Sequence, residues 1–172
     1  GYVHPDDRKR FGELGVVVDA CPTFWFPQII VTAIEWAIGH ERAYEYWPFR
    51  DLIDQGAIVA LGSDWPVLPS PNPLLGLEGM VTRRDPATNG SEPLWAEQAI
   101  TLDEAVRAAT INGAKALNIA AEAGSIEVGK SADLVVFDRN LFEIPVEEIS
   151  DAKVLMTLYR GNTVYEAAAG AE

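Results

Sequence analysis

The sequence predicts a parallel α/β fold followed by a β appendage, and three observations carry that prediction. The run Ile58-Val59-Ala60-Leu61 is apolar and rich in β-branched residues, stops at Gly62, and delivers Asp64 into a proline-rich loop that runs to Pro73. Stretches with helix start and stop signals alternate with this run and with a second short run, Val16 to Ala20. From Gly124 onward the composition shifts to turn formers and short strand-like runs. In parallel α/β folds the C-terminal ends of the strands and the loops after them converge on one open face. Asp64 is therefore the first candidate for a catalytic or metal-binding group, the other reading being an Asp that caps a turn or the next helix.

Taken in order, Pro5, Asp6 and Asp7 open a helix that runs through Arg8 to Leu14 and ends before Gly15. Val16 to Ala20 reads as a strand closed by Pro22, and Pro27 to Ile38 as the next helix. A helix over Arg50 to Gln55, stopped by Gly56, feeds the strand Ile58 to Leu61. Leu74 to about Val81 reads as helix, and the polar stretch Arg83 to Pro93 as a surface loop. Thr101 and Glu104 have capping-box spacing, in which hydroxyl and carboxylate each satisfy a free amide at a helix start, so a helix is expected through Ala109 or beyond. Ala132 to Asp138 and Val154 to Tyr159 read as strands, with a turn at Arg160 to Thr163 before Val164-Tyr165. The expected domains are 1–122 for the barrel portion and 123–166 for the appendage, with 167–172 a frayed tail.

A chain of 172 residues, 48% of them hydrophobic, is long enough to bury a core of its own. No apolar run approaches the roughly 20 residues needed to cross a bilayer, so a membrane is not an expected partner. A formal net charge of −13 repels phosphate backbones and argues against nucleic acid as a partner. Cys21 is the sole cysteine, which rules out an intrachain disulfide and fits a reducing compartment, with the cytoplasm as the default expectation. The chain opens on Gly1 without an initiator Met, which leaves room for an upstream segment.

Four segments in order carry a family resemblance: Gly62-Ser63-Asp64-Trp65-Pro66-Val67, Asn72-Pro73-Leu74, Thr101 to Ala105, and Gly124 to Val136. With the closing Val154 to Thr157 and Arg160 to Tyr165, the chain resembles the C-terminal part of the amidohydrolase superfamily, in its family 3 type. The resemblance implies a metal-dependent hydrolase built as a distorted (β/α)8 TIM barrel with a small β-sandwich, and a fragment here of both. It implies histidines from earlier strands and a carboxylated lysine around one or two divalent cations, zinc first. It places Asp64 on the Asp at the end of the eighth strand that binds metal and handles the proton. A bound cation lowers the pKa of water, and a carboxylate beside it can accept and then deliver the proton.

The His-x-His motif and later histidines that the resemblance calls for are not among the 172 residues and are expected upstream of Gly1. Zinc needs about three or four protein ligands, so Asp64 alone does not complete a site. His4 at a helix start, His40 in a helical connection, and Lys115 and Lys130 are not expected to supply the rest. The function expected is hydrolysis of a C–N bond (amide, N-acyl or cyclic amide) in a small-molecule substrate by the complete enzyme. The alternative is a non-catalytic fragment that oligomerises or binds a complementary chain through exposed strand edges.

Several other residues have two readings. Trp65 and Pro66 are expected either to wall a substrate pocket or to stiffen the loop. Arg83 could meet a substrate carboxylate bidentately or simply place charge at a helix C-terminus. Ser63 lacks a nucleophile elbow and a suitable His. Cys21, without a base, reads as a buried or pocket-lining thiol, and Asp133 as a turn residue of the appendage. A carboxylate-pair glycosidase would need a second acid about 5 to 9 Å from Asp64, and nothing in the spacing favours Glu78.

Overall fold

The computed structural model describes residues 1–168 except Trp25, Pro27, Gln28, Pro69, Asn89, Gly90 and Ser91. The expected helix start at Pro27 and most of the expected frayed tail lie outside the described residues.

Helix α1 (Pro5–Glu13) starts with Pro at its first position, and His4 Nδ1 accepts from the Asp6 amide at 3.3 Å, so His4 serves as the cap. Strand β1 (Val17–Ala20) leads through a 3₁₀ turn (Pro22–Phe24) to α2 (Ile29–Ile38) and α3 (His40–Tyr44). Helix α4 (Phe49–Asp54) is followed by β2 (Ile58–Leu61), the strand bounds being those expected for β2. β1 and β2 pair in parallel, with Val18 opposite Val59 and Ala20 opposite Leu61. Helix α5 (Pro73–Thr82) follows the Asp64 loop, and α6 (Leu102–Ala109) and α7 (Ile111–Ala116) complete this part. The capping box is present: Glu104 N donates to Thr101 Oγ1 at 3.3 Å, and Glu104 Oε2 accepts from Thr101 N at 2.8 Å.

Alternation along the strands divides their side chains between two faces. Val18, Ala20 and Val59 are buried against Phe49 and Leu52 of α4, Leu74, Leu77 and Met80 of α5, and Ala105 and Ala108 of α6. Each large side chain fully buried in this way contributes roughly 1.5–3 kcal/mol by the transfer of its apolar surface. Gly76 of α5 sits where a Cβ would come 2.8 Å from Leu61 Cδ1, so the helix lies directly on β2. On the far edge of β2, Asn112 Nδ2 donates to Val59 O at 2.9 Å and satisfies one carbonyl of the strand.

The stretch expected as a surface loop is partly interior. Arg83, Asp85 and Pro86 are buried, because Arg83 turns left-handed (φ 58°) at the end of α5 and folds the chain back into the molecule.

The appendage is a three-stranded antiparallel sheet, β3 (Leu134–Phe137), β4 (Val154–Tyr159) and β5 (Asn162–Glu166), in spatial order β3-β4-β5. Asp133 Oδ1 accepts from Arg160 N at 2.7 Å, the turn role expected of it. A 3₁₀ stretch, Val146–Asp151, seats Ile149 in the core and joins the appendage to α5 through Glu78, whose Oε2 accepts from Ser150 N at 2.8 Å. Burial pushes the Glu78 carboxyl up from its ordinary range, ahead of the opposing effect of that hydrogen bond. Glu78 is therefore a tie between two parts of the chain. Two parallel strands do not close a barrel, so the described residues form a mixed α/β segment around a two-stranded parallel sheet, followed by a three-stranded antiparallel sheet, and the expected barrel is not seen among them.

Candidate active site

Strand β2 ends at Leu61, and the next three residues bring Asp64 to the C-terminal end of the β1–β2 pair. Asp64 is exposed and left-handed (φ 53°), a conformation that Asp adopts at less cost than bulkier residues. Its carbonyl accepts from Val67 N at 2.9 Å, which closes the turn. The side chain of Asp64 has no hydrogen-bond partner among the described residues, and α5 is capped instead by Asn72, whose Oδ1 accepts from Leu74 N at 3.0 Å. The capping reading of Asp64 is thereby removed, and its carboxylate faces solvent at the strand end.

Two further acid-bearing or nucleophilic side chains share this end. A Cβ placed on Gly62 would lie 2.7 Å from Asp19 Oδ1 and 3.3 Å from Cys21 Sγ, so both side chains crowd the glycine on the face turned away from the helices. Burial, and after it the carboxylates of Asp19 and Asp64, pushes the Cys21 thiol up from its ordinary value, which works against a role as a catalytic nucleophile. Sequence reasoning passed over Asp19. The signal was a charged residue inside an otherwise apolar strand, Val17-Val18-Asp19-Ala20.

Beside Gly62 and Ser63 a cleft of about 280 Å³ is walled by Thr23, Leu61, Asn72, Pro73 and Gly76. Thr23 also lines a second cleft of about 170 Å³ with Phe26, Leu68, Leu75 and Asp85. Trp65 and Pro66 are exposed on the Asp64 turn and are not among the residues that wall either cleft, while Ser63 Oγ accepts from Trp65 N at 3.3 Å.

Arg83 is placed elsewhere than expected. It is 0% exposed; its Nε donates to Leu94 O at 2.8 Å, Nη2 to Tyr46 O at 2.9 Å and Nη1 to Trp47 O at 3.3 Å. The guanidinium thus holds three chain segments together and is no longer a candidate for a substrate carboxylate. His40 Nδ1 lies 2.9 Å from Glu35 Oε1 on the surface, and Lys130 Nζ donates to Ser125 and Glu127 in the appendage.

The donor set does not make a metal site by itself. Among the described residues no group of three or more His, Cys, Asp or Glu is placed to hold an ion, and Asp64 offers one carboxylate. An ion retained at useful affinity needs more ligands than these residues provide.

A parallel strand pair with an exposed carboxylate at its C-terminal end, backed by helices and followed by an antiparallel sheet, is a mixed α/β arrangement. Its solved relatives agree: an amidohydrolase from Thermotoga maritima superimposes over 94% of this chain and 34% of its own, at 20% identity and a TM-score of 0.63. An adenosine deaminase from Xanthomonas campestris with bound zinc does so over 95% and 35%, at 22% identity and a TM-score of 0.67. The amidohydrolase family model matches residues 1–165, and this chain belongs to that family. It is 35% identical over 158 residues to the N-substituted formamide deformylase of Arthrobacter pascens, covering 92% of this chain and 28% of that protein. It is 34% identical over 121 residues to the imidazolonepropionase of Bdellovibrio bacteriovorus, covering 70% and 26%. The chain spans roughly a quarter of the length of these curated relatives. Among the described residues no helix is long and apolar enough to cross a membrane.

Proposed function

We propose that this chain supplies one wall of the active site of a hydrolase that cleaves C–N bonds of amide type in a small-molecule substrate, with Asp64 as its proton-handling group. The observation that carries this is the Asp64 carboxylate, exposed at the end of β2 and without a hydrogen-bond partner among the described residues. Amide hydrolysis needs a proton removed from the attacking water and one delivered to the departing nitrogen. A carboxylate free to accept and release it serves both steps. Trp65 and Pro66 project from the same turn and belong to the proposal as contacts at the rim.

Metal dependence, zinc first, is also part of the proposal, with Asp64 as one oxygen donor and the others supplied from outside this chain. Docking of a complementary chain is consistent with that reading, because β1 and β2 form a two-stranded sheet with no further strand on either edge among the described residues. The test is a panel of formamides, acetamides and cyclic amides offered to the full-length protein before and after dialysis against a chelator. Turnover that is lost on dialysis and restored by zinc supports the reading. Metal-replete protein that hydrolyses none of the panel overturns it.

A further inference from the structure

Asp19 lies opposite Ala60 in the parallel register, on the face of β1 that the helices do not cover. Its carboxylate occupies the notch left by the absent side chain of Gly62, 2.7 Å from the position a Cβ would take, and Gly62 itself stands two residues before Asp64 in the chain. Among the described residues that line the two adjoining clefts there is no lysine or arginine, and the guanidinium of Arg83 is committed to backbone carbonyls in the interior. An independent sign of an incomplete polar set is Thr23 Oγ1, which is buried in the wall shared by both clefts and has no hydrogen-bond partner among the described residues. A buried hydroxyl left unsatisfied by the protein is a natural partner for a ligand group.

We infer that Asp19 is a second carboxylate of the candidate site that sets its charge preference: the site accepts amides whose nitrogen substituent is neutral or cationic and turns away those that carry a carboxylate. The word amide rests on the function proposed above; the charge preference rests on the placement of Asp19. A ligand carboxylate would meet the charge of Asp19, which the proposed metal on Asp64 does not engage, with no lysine or arginine among the described residues of the adjoining clefts to offset it, a repulsive element of the kind that separates related substrates. A cationic or N–H-rich substituent would find acceptors there.

Cys21, the sole cysteine of the chain and partly buried beside Asp19, is a built-in reporter of this field. The experiment labels it with 2-aminoethyl methanethiosulfonate (cation), 2-sulfonatoethyl methanethiosulfonate (anion) and the neutral methyl reagent. Each rate is divided by the rate on the same chain unfolded in urea. The cation should exceed the anion by about tenfold at low salt and by less at high salt. Asp19→Asn should lower that ratio by about threefold or more, raise the neutral reagent's rate because a carboxylate that opposes thiolate formation is gone, and leave the melting temperature unchanged, whereas Asp103→Asn on the exposed face of α6 should leave the ratio as it is. A ratio near one, or a ratio that Asp19→Asn does not move, overturns the inference. In the full-length protein, N-(2-aminoethyl), N-ethyl and N-carboxymethyl acetamide should be hydrolysed in falling order of kcat/KM, and Asp19→Asn should raise KM for the first by more than it does for the second. Charge-selective labelling without any hydrolysis would remove the hydrolase reading and leave the field of Asp19 standing. Hydrolysis that favours the carboxymethyl substrate would overturn the inference and leave the hydrolase reading intact.

Discussion

The two faces of the β1–β2 pair carry different chemistry on the same eight residues. Toward the helices, Val18, Ala20 and Val59 are buried and pack into one cluster with α4, α5 and α6. On the other face, Asp19 and, beyond the strand ends, Cys21 and Asp64 present a thiol and two carboxylates around Gly62. Because side chains alternate at a period of two, a four-residue strand can anchor a core and present polar groups at once. The packed face should therefore govern folding and the polar face should govern chemistry, so a substitution on one should leave the other's readout nearly unmoved.

The sharpest challenge to the packed face is Phe49→Ala. Phe49 is 0% exposed and lies under the Arg83 guanidinium, 5.7 Å from ring centroid to Cζ. Truncation should cost about 3–5 kcal/mol in urea denaturation, the range for a buried aromatic; a loss below about 1 kcal/mol would break the account of the core. Arg83→Met should cost about 3 kcal/mol, since it keeps bulk but strands the carbonyls of Tyr46, Trp47 and Leu94. If the Met variant were instead as stable as wild type, the guanidinium would not be what holds those segments.

Smaller effects come from two glutamates whose pH dependences run in opposite directions. The hydrogen bond from Arg50, 2.7 Å from Glu104 Oε2, holds the Glu104 carboxyl below its ordinary range, and the Thr101 amide and hydroxyl add to this. Its stabilisation is present above the ordinary carboxylate value and fades as pH falls through the depressed one. Glu104→Ala should cost about 1–2 kcal/mol at neutral pH and less in acid, as read from melting curves across pH. Glu78 is shifted the other way by burial, so its contribution is full below the ordinary carboxylate value and is lost as pH rises through the elevated one. Glu78→Gln mimics the neutral form and should gain a few tenths to about 1 kcal/mol at pH 8, with no gain at pH 4. A loss at pH 8 would mean that the charged form is what grips Ser150.

What was legible in the sequence was what local chemistry determines. The strand Ile58–Leu61 ends where Gly62 follows it, the capping box from Thr101 to Glu104 closes within one turn, and β4 keeps its expected bounds at Val154–Tyr159. The position of Asp64 just past a strand end was legible because its strand, its glycine and its loop are contiguous. Arg83 was not, because the carbonyls it holds lie 36 and 37 residues before it and 11 after. Asp19 was not, because its neighbour Gly62 is brought alongside by a parallel register that spans the whole of α2, α3 and α4. Distant pairings of this kind leave no local pattern to read.

The central claim is that the free carboxylate at the end of β2 handles the proton in C–N bond cleavage, and kcat of Asp64→Asn in the metal-replete full-length protein tests it most directly. The account predicts a fall of about 10²–10⁴ in kcat with the melting temperature within about 1 °C of wild type, since Asp64 is exposed and bonded to nothing the core needs. Activity within tenfold of wild type at unchanged stability would contradict it.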